Sequence, residues 1–331
     1  MSLKYRAYLT NIIDLKKDIL KSLEFIEWKK HLSNDSTVFI KPNFTFPKYK
    51  EGITTNPIVI KTFLELMKDN VDRVIIGESN GGNHSFTADQ AFIGHNMHEI
   101  CRETGTELVN LSNLPVKVVQ DTIQRKTVKI QLPKLLLDDI DCFISMPVLK
   151  VHVMTTITLS IKNLWGCYPD TMRCLHHKYL SRKLALILKS VSPQLILIDG
   201  TYALDGHGPM YGTPINRNII LSANNSVVAD SLGAHIMDIP VSKVDHLLMA
   251  EKEKLGFTDL SKVTLNEDWT KYVMKFSSNK TIIDTLSYPL FNSEFIAKCV
   301  LDSPITPLIY KVATKLRNDN EKKVASQIKE T

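Results

Sequence analysis

One stretch of the chain, from Met146 to His177, gathers side chains that can bind an anion and move a proton. Between Cys142 and Ser190 there are seven Lys or Arg residues and one acid, an excess equal to the +6 net charge of the whole chain. Ammonium groups and amides recognise carboxylates and phosphates through charge-assisted hydrogen bonds. The stretch therefore predicts a site for an anionic ligand. Its candidate side chains are Lys150, His152, Lys162, Asn163, His176 and His177.

His152 is the candidate acid–base group of this stretch, because imidazole titrates near neutral pH. A carboxylate that accepts from the ring would fix its tautomer, and Glu78 and Asp199 follow other strands in suitable positions. A histidine with a purely structural role is the competing interpretation. The sequence thus predicts a catalytic group of His152 with Glu78 or Asp199.

Two cysteines and two histidines of the same stretch, Cys167, Cys174, His176 and His177, are weaker candidates for a metal site. Thiolate and imidazole suit zinc or iron, but the spacing C-x6-C-x-H-H matches no structural zinc pattern. We therefore expect no metal. For Cys167, a reactive thiol beside basic residues and an inert buried thiol are both open interpretations.

The cysteine pattern also bears on cofactor and compartment. The five cysteines are widely spaced and form no C-x-x-C pair. The sequence therefore predicts neither a zinc ribbon nor an iron–sulfur cluster in this chain, and it indicates no other cofactor. Thiols that stay reduced favour a cytoplasmic protein.

Composition argues against several classes of function. With 331 residues, 44% of them hydrophobic and 23% charged, the chain is typical of a soluble globular protein. No Lys/Arg run or RNA-binding motif is present, so we expect no nucleic-acid partner. We expect no membrane partner either, since no run approaches the roughly 18 apolar residues of a membrane span, and the N-terminus does not resemble a signal peptide. The chain has no G-x-x-x-x-G-K-[ST] loop, and no helix follows the glycines at Gly206–Gly212 as a dinucleotide fingerprint requires.

Short apolar strands alternate with amphipathic helices along the chain. Predicted strands are Thr37–Ile40, Arg73–Ile76, Glu107–Leu111, Asp141–Ser145, Leu195–Ile198 and Asn218–Leu221. Predicted helices are Ile12–His31, Pro57–Lys68, Ala88–Glu103, Pro133–Leu137, His177–Ser190 and Val227–Met237. This order predicts an α/β fold with a doubly wound, mostly parallel sheet.

Two additions interrupt that pattern. Strands at Val116–Val119 and Thr127–Leu132 predict an inserted β-hairpin, and residues 201–216 predict a loop. We expect residues 1–240 to form the α/β core domain. Residues 241–331 are predicted to form a C-terminal helical or α+β extension, whose charged end from Lys311 is a peripheral helix or frayed.

Polar loops follow four of the predicted strands, at 41–43, 77–79, 147–152 and 199–212. Because parallel strands deliver their loops to one edge of the sheet, these loops are expected to share a crevice. Ordinary turn residues explain the glycines and prolines but not the lysines. The predicted ligand contacts are Lys41, Asn43, Ser79, Lys150, Lys162, Asn163 and His207.

The motifs at these positions recur as a set. They are IKPN (Ile40–Asn43), TTNP (Thr54–Pro57), IGESNGG (Ile76–Gly82), PVLKVH (Pro147–His152), T-x-x-IKNLWG (Thr158–Gly166), IDG (Ile198–Gly200), GHGP-x-x-G (Gly206–Gly212) and ADSLG (Ala229–Gly233). In this order, over roughly Val38 to Asp238, they resemble the domain of unknown function 362 family, often labelled uncharacterised iron–sulfur centre proteins. Many members carry a ferredoxin-like domain with two four-iron clusters. This chain has no such cysteine pattern, so we expect a member that lacks that domain. The family commonly has Asp where Glu78 stands.

Three functional hypotheses follow. The first is an enzyme acting on a small anionic metabolite, in which Lys41, Lys150 and Lys162 hold the anion and Asn43 and Asn163 orient it. It would be a lyase or isomerase type that moves protons through His152, or an oxidoreductase. The resemblance implies that reductive chemistry would draw on a separate ferredoxin-like electron donor. The second hypothesis is a non-catalytic ligand-binding or scaffold module, and the third is a metal-binding protein.

Overall fold

The structure, a computed structural model, describes residues 5–278. Its strands are β1 (Tyr5–Asn11), β2 (Thr37–Pro42), β3 (Arg73–Glu78), β4 (Glu107–Asn110), β5 (Val116–Ile123), β6 (Lys126–Pro133), β7 (Cys142–Met146), β8 (Val148–His152), β9 (Thr156–Ile157), β10 (Leu195–Asp205), β11 (Thr213–Ala223) and β12 (Val263–Leu265). Its α-helices are α1 (Leu15–Phe25), α2 (Pro57–Met67), α3 (Ala88–Gly94), α4 (Met97–Thr104), α5 (Leu135–Asp138), α6 (Leu159–Asn163), α7 (Leu180–Val191), α8 (Ser226–Ile236) and α9 (Asp245–Lys252).

The main sheet has the strand order β12-β1-β11-β10-β7-β2-β3-β4. Its centre, from β10 through β7, β2 and β3 to β4, is parallel, whereas β11 is antiparallel to both of its neighbours. The predicted α/β fold with a mostly parallel sheet is confirmed. Strand order reverses at β2, because β3 and β4 extend to one side of it and β7 and β10 to the other. Ligands of open parallel sheets bind beside such a switch point.

Two apolar cores cover the two faces of this sheet. On β2, Val38 and Ile40 join the core formed with α1, α2, α3 and α4, while Phe39 joins the opposite core with α6, α7 and α8. Alternation along the strand sends successive side chains to opposite faces. Burial of both faces explains why these strands are continuously apolar, and it confirms the doubly wound arrangement.

The N-terminal region differs from its prediction. A strand, β1, occupies residues 5–11, and the helix predicted from Ile12 begins only at Leu15. The Asp14 side chain accepts a hydrogen bond from the Lys17 N–H and so caps α1. Alternation of Tyr5, Ala7 and Leu9 with more polar residues was the available sign of the strand.

The predicted loop at 201–216 was also wrong for most of its length. There β10 and β11 continue as an antiparallel pair, with Asp205 opposite Thr213. Only residues 206–212 form the connection, and its glycines and proline dominated the sequence pattern. The helix predicted over Ala88–Glu103 is divided into α3 and α4 at Asn96, whose φ of 56° is left-handed.

The hairpin predicted near residues 116–132 is confirmed as the two-stranded sheet of β5 and β6. Beyond residue 240 the structure describes α9 and β12, and β12 pairs with β1 in the main sheet. The charged segment from Lys311 lies outside the described residues, and the boundary predicted at residue 240 stays a prediction.

The chain divides into two units. The first comprises residues 1–173 and 179–279, and the second comprises 174–178 and 280–331. No helix within residues 5–278 is long and apolar enough to cross a membrane.

Candidate functional site

Polar side chains meet at the carboxyl ends of β2, β3, β7 and β8, beside the switch in strand order. Lys41 lies near the end of β2, Glu78 ends β3, and Lys150 lies in β8, which Pro147 separates from β7. Helix α6 brings Asn163 to the same place, since this amide donates to the backbone oxygen of Lys41 at 3.1 Å. The structure thus brings together residues from strands that are far apart in sequence, as the parallel order predicted.

Lys41 and Glu78 form a buried ion pair. The Lys41 Nζ lies 2.5 Å from the Glu78 Oε2, and their side chains are only 1% and 6% exposed. Lys41 also donates to the Pro42 carbonyl oxygen at 2.8 Å, and Glu78 accepts from the Ser79 N–H at 3.0 Å. Because Glu78 neutralises Lys41, this lysine helps to build the site but brings no net charge to a ligand.

A second chain of hydrogen bonds runs through Lys150. Its Nζ donates to the Asn43 Oδ1 at 2.8 Å and to the Ile53 carbonyl oxygen at 2.6 Å. The Asn43 amide in turn donates to the Asn163 Oδ1 at 3.0 Å. Three predicted ligand contacts are therefore joined in one network, and both amides are oriented by it.

Two lysines of the site carry charges that nothing in the described chain neutralises. Among residues 5–278, no carboxylate contacts Lys150 or Lys162. Burial, and then the charge of Lys162, hold the pKa of Lys150 well below its ordinary value. Burial, and then the charge of Arg173, lower the pKa of Lys162 to about 7. An anion bound nearby would offset both effects.

Asp230 holds α6 in place from α8. Its Oδ1 accepts from the Ser160 N–H at 2.7 Å and its Oδ2 from the Ile161 N–H at 2.9 Å. Burial raises the pKa of this carboxyl to about 8, although the two N–H groups oppose that shift. Asp230 therefore acts on the site through the position of α6, which carries Lys162 and Asn163.

Ser79 connects the end of β3 to the turn after α6. Its hydroxyl donates to the Gly166 carbonyl oxygen at 2.6 Å and accepts from the Arg173 Nη1 at 2.7 Å. Arg173 also donates to the Tyr168 carbonyl oxygen at 2.8 Å. Arg173 is one of the seven basic residues between Cys142 and Ser190, but no motif in the sequence distinguishes it from the others.

His152 is not paired with either predicted carboxylate. Its Nδ1 accepts from the Met154 N–H at 3.1 Å, so the proton of the neutral ring lies on Nε2. Asp199 instead accepts from the Asn56 N–H at 2.7 Å and from the Thr201 hydroxyl at 2.7 Å. The main-chain N–H of Met154, rather than Glu78 or Asp199, therefore sets the tautomer.

Asp199 stabilises the loop before α2. By binding the N–H of Asn56 it holds the residue whose side chain caps that helix. Burial raises the pKa of Asp199, an effect that its hydrogen bonds with Thr201 and Asn56 oppose.

His207 lies in the connection between β10 and β11. The next residue, Gly208, packs so closely on β8 that a Cβ would lie 1.9 Å from the Val151 carbonyl oxygen. The Gly208 carbonyl oxygen accepts from the Val153 N–H at 3.1 Å. The connection that carries His207 is thus fixed to the end of the strand that carries His152.

The weaker metal candidates are divided between the two units of the chain. Cys167 is fully buried in the first unit, and burial raises the pKa of its thiol to about 12. Cys174, His176 and His177 belong to the second unit. Within residues 5–278, no group of three or more His, Cys, Asp or Glu side chains is arranged to hold a metal ion.

Comparisons with known proteins agree with the motifs. A family model described as "Domain of unknown function (DUF362)" matches residues 38–235. The thylakoid-associated protein sll1697 of Synechocystis sp. is 30% identical over 125 residues, which are 36% of this chain and 38% of that protein. Among solved structures, the crystal structure of a Thermotoga maritima protein covers 55% of this chain and 50% of its own, at 9% identity and a TM-score of 0.35.

Proposed function

Because the chain belongs to the domain of unknown function 362 family, whose name assigns no activity, we propose a function from its own side chains. The protein binds a small anionic metabolite, a carboxylate or a phosphate, at the carboxyl ends of the parallel strands. The observation that carries this proposal is the pair Lys150 and Lys162, which no carboxylate of the described chain neutralises.

The charges around the site support an anion over a cation or a neutral ligand. Lys41 is neutralised by Glu78, whereas burial and the charge of Lys162 lower the pKa of Lys150, and burial and the charge of Arg173 lower the pKa of Lys162. Like charges held together in a region of low dielectric repel strongly. A bound anion offsets that repulsion, so its binding would raise both pKa values and favour the charged form of the two lysines.

The amides restrict how such an anion can lie. Asn43 uses its amide and its carbonyl oxygen on Asn163 and Lys150, and Asn163 uses its amide on the backbone of Lys41. Asn43 therefore fixes the Lys150 ammonium, and Asn163 fixes Asn43. We assign the direct anion contacts to Lys162 and Lys150.

An enzyme that moves a proton is the favoured form of this proposal. A buried lysine with a lowered pKa can act as a general base, and burial and the charge of Lys162 lower the pKa of Lys150. His152 ends the same strand and carries its proton on Nε2, so we assign it the role of proton donor. Reductive chemistry with a separate ferredoxin-like donor stays a prediction. So does a cytoplasmic location, which the free thiols of Cys101, Cys142 and Cys167 support.

Mass spectrometry of the native protein, followed by thermal-shift screening of carboxylates and phosphates, tests the proposal. We expect a co-purified or screened anion to bind, and Lys162→Met and Lys150→Met to weaken it by roughly 10- to 100-fold, the loss of one charge-assisted hydrogen bond. Lys243→Met is the matched control, because Lys243 is exposed and its side chain makes no described contact. Equal affinity in all four proteins would overturn the proposal.

A further inference from the structure

Two buried polar atoms near Lys162 have no hydrogen-bond partner among residues 5–278. They are the hydroxyl of Thr158 and the Nε2 of His246. Thr158 is 4% exposed and His246 is 1% exposed. The Lys162 ammonium likewise has no described partner. A buried donor without a partner costs about 1–3 kcal/mol. Two such groups, together with a partly exposed ammonium that lacks an acceptor, indicate a ligand that satisfies them.

The start of α6 places Thr158 beside the strand that carries Lys150. Thr158 directly precedes α6, its N–H donates to the Lys150 carbonyl oxygen at 3.0 Å, and Lys162 follows within α6. Leu159 between them has a left-handed φ of 37°, so the spacing of a regular helix does not apply to this pair. The Thr158 hydroxyl therefore belongs to the region where β8 ends and α6 begins.

Helix α9 brings His246 to that region. It packs against α6, and the Thr156 hydroxyl donates at 3.0 Å to the carbonyl oxygen of Lys243, two residues before α9 begins. Burial, and then the charge of Lys162, lower the pKa of His246 to about 3. The ring is therefore neutral at physiological pH, and one of its nitrogens carries a proton that can be donated.

An apolar side chain would serve a purely structural position better than His246 does. The residues around it in the core, such as Leu247 and Val244, are aliphatic. An imidazole without a hydrogen bond in such surroundings loses the free energy of its hydration and regains none. Its presence is explained if an oxygen of a ligand accepts from it.

We propose that Thr158, Lys162 and His246 bind the terminal oxygens of a phosphoryl group, which makes the ligand a phosphate or a phosphate monoester. This inference rests on the proposed anion site and names its ligand class. Three donors from separate positions suit three terminal oxygens, whereas a carboxylate offers two. The ammonium groups of Lys150 and Lys162, which no carboxylate of the described chain contacts, can balance a dianion, and a single carboxylate carries only one charge.

His246 also lies outside the residues that the family model matches, which end at residue 235. The phosphoryl contact from α9 therefore comes from outside the part of the chain that the family model covers. It makes α9 the element that decides which anion is held.

Calorimetric titration with inorganic phosphate and with acetate tests the assignment in the wild-type protein, His246→Leu, His246→Gln, Thr158→Val and Lys162→Met. We expect the wild type to bind phosphate at least about 10-fold more tightly than acetate, and His246→Leu and Thr158→Val each to lose about 10-fold for phosphate. His246→Gln keeps a donor in place of the ring, so it should lose less than His246→Leu. A melting temperature for each variant shows whether it is folded, and His246→Gln is the polar alternative should His246→Leu fail to fold.

The outcomes separate this inference from the proposal on which it rests. If Lys162→Met loses both anions while His246→Leu and Thr158→Val bind phosphate like the wild type, the anion site stands and the phosphoryl assignment is wrong. Acetate bound as tightly as phosphate by the wild type would also overturn the assignment. If the wild type binds no anion, or Lys162→Met binds both as well as the wild type does, the proposed function itself fails.

Discussion

The ammonium of Lys41 lies 2.5 Å from the carboxylate of Glu78, where β2 and β3 end side by side, and both side chains are almost fully removed from water. The two residues are 37 positions apart in the chain and meet because their strands pair in parallel register. A buried pair of this kind costs desolvation that only its own geometry offsets. It is therefore sensitive to the loss of one partner.

Removal of Glu78 alone should destabilise the fold much more than removal of both Glu78 and Lys41. We expect Glu78→Leu to lower the free energy of unfolding by about 3–5 kcal/mol, because the Lys41 ammonium is left buried without a counter-charge. The double variant Lys41→Met/Glu78→Leu should recover most of this loss. Urea unfolding measures both. Lys61→Met is the control, because Lys61 and Glu103 form an exposed pair in which each side chain is 42% exposed. This substitution should lower the free energy of unfolding by at most about 1 kcal/mol. A double variant as unstable as Glu78→Leu would contradict the coupling.

Gly166 is expected to be required because the ion pair packs against it. A Cβ at this position would lie 2.7 Å from the Glu78 Oε1 and 2.9 Å from the Lys41 Nζ. Gly166→Ala should therefore displace the pair and cost about 1–3 kcal/mol of stability. Gly82→Ala is the matched control, because a Cβ there meets nothing within 4 Å. Equal melting temperatures for the two variants would show that the pair tolerates the methyl group.

Anion affinity should fall as the pH rises through about 7. Burial and the charge of Arg173 lower the pKa of Lys162 to about 7, so its ammonium is charged below that pH and neutral above it. Sulfate is a suitable probe because its own charge is constant in this range. We expect its dissociation constant to rise toward about 10-fold per pH unit above pH 7, and Lys162→Arg to remove most of this dependence because guanidinium stays charged. A dissociation constant for wild type that is flat between about pH 6 and 9 would contradict the role of Lys162.

The sequence predicted which strand ends would meet, but not how the charges would be distributed among them. Lys41 and Lys150 both belong to polar segments at the ends of apolar strands and look equivalent in sequence. Only the pairing of β2 with β3 places Glu78 beside the first, while the second reaches the amide of Asn43. Such partners depend on strand register and side-chain direction, which no local pattern records.

His246 was missed for a related reason. It lies in a short helix whose other residues carry no motif, and its proximity to Lys162 arises from the packing of α9 on α6. By contrast, the position of α6 had a sign in the sequence. Asp230 is an acid within an otherwise apolar helix, a position that is either exposed to solvent or turned toward polar partners, and its side chain is buried and holds α6.

Asp230 is expected to make stability depend on pH in a direction opposite to that of an ordinary ion-paired acid. Burial raises its pKa to about 8 in the folded chain, against about 3.9 when unfolded. A carboxyl whose folded pKa is raised contributes stability that is fully present below the unfolded value and is lost as the pH rises through the folded one. The free energy of unfolding should therefore fall, relative to Asp230→Asn, by up to about 1.4 kcal/mol per pH unit between about pH 4 and 8. Urea unfolding of both proteins over this range measures the difference, from which the titration of Lys150 and Lys162 cancels.

A third variant separates this charge effect from the capping of α6. Asp230→Ala leaves the N–H groups of Ser160 and Ile161 buried without acceptors, so it should cost about 1–3 kcal/mol for each at every pH. Asp230→Asn keeps one carbonyl oxygen as acceptor and should lose less. Because α6 carries Lys162, anion affinity should fall in Asp230→Ala and be largely retained in Asp230→Asn. A pH-independent difference between the wild type and Asp230→Asn would mean that the carboxyl does not titrate in this range, and unchanged anion affinity in Asp230→Ala would mean that α6 is held by other contacts.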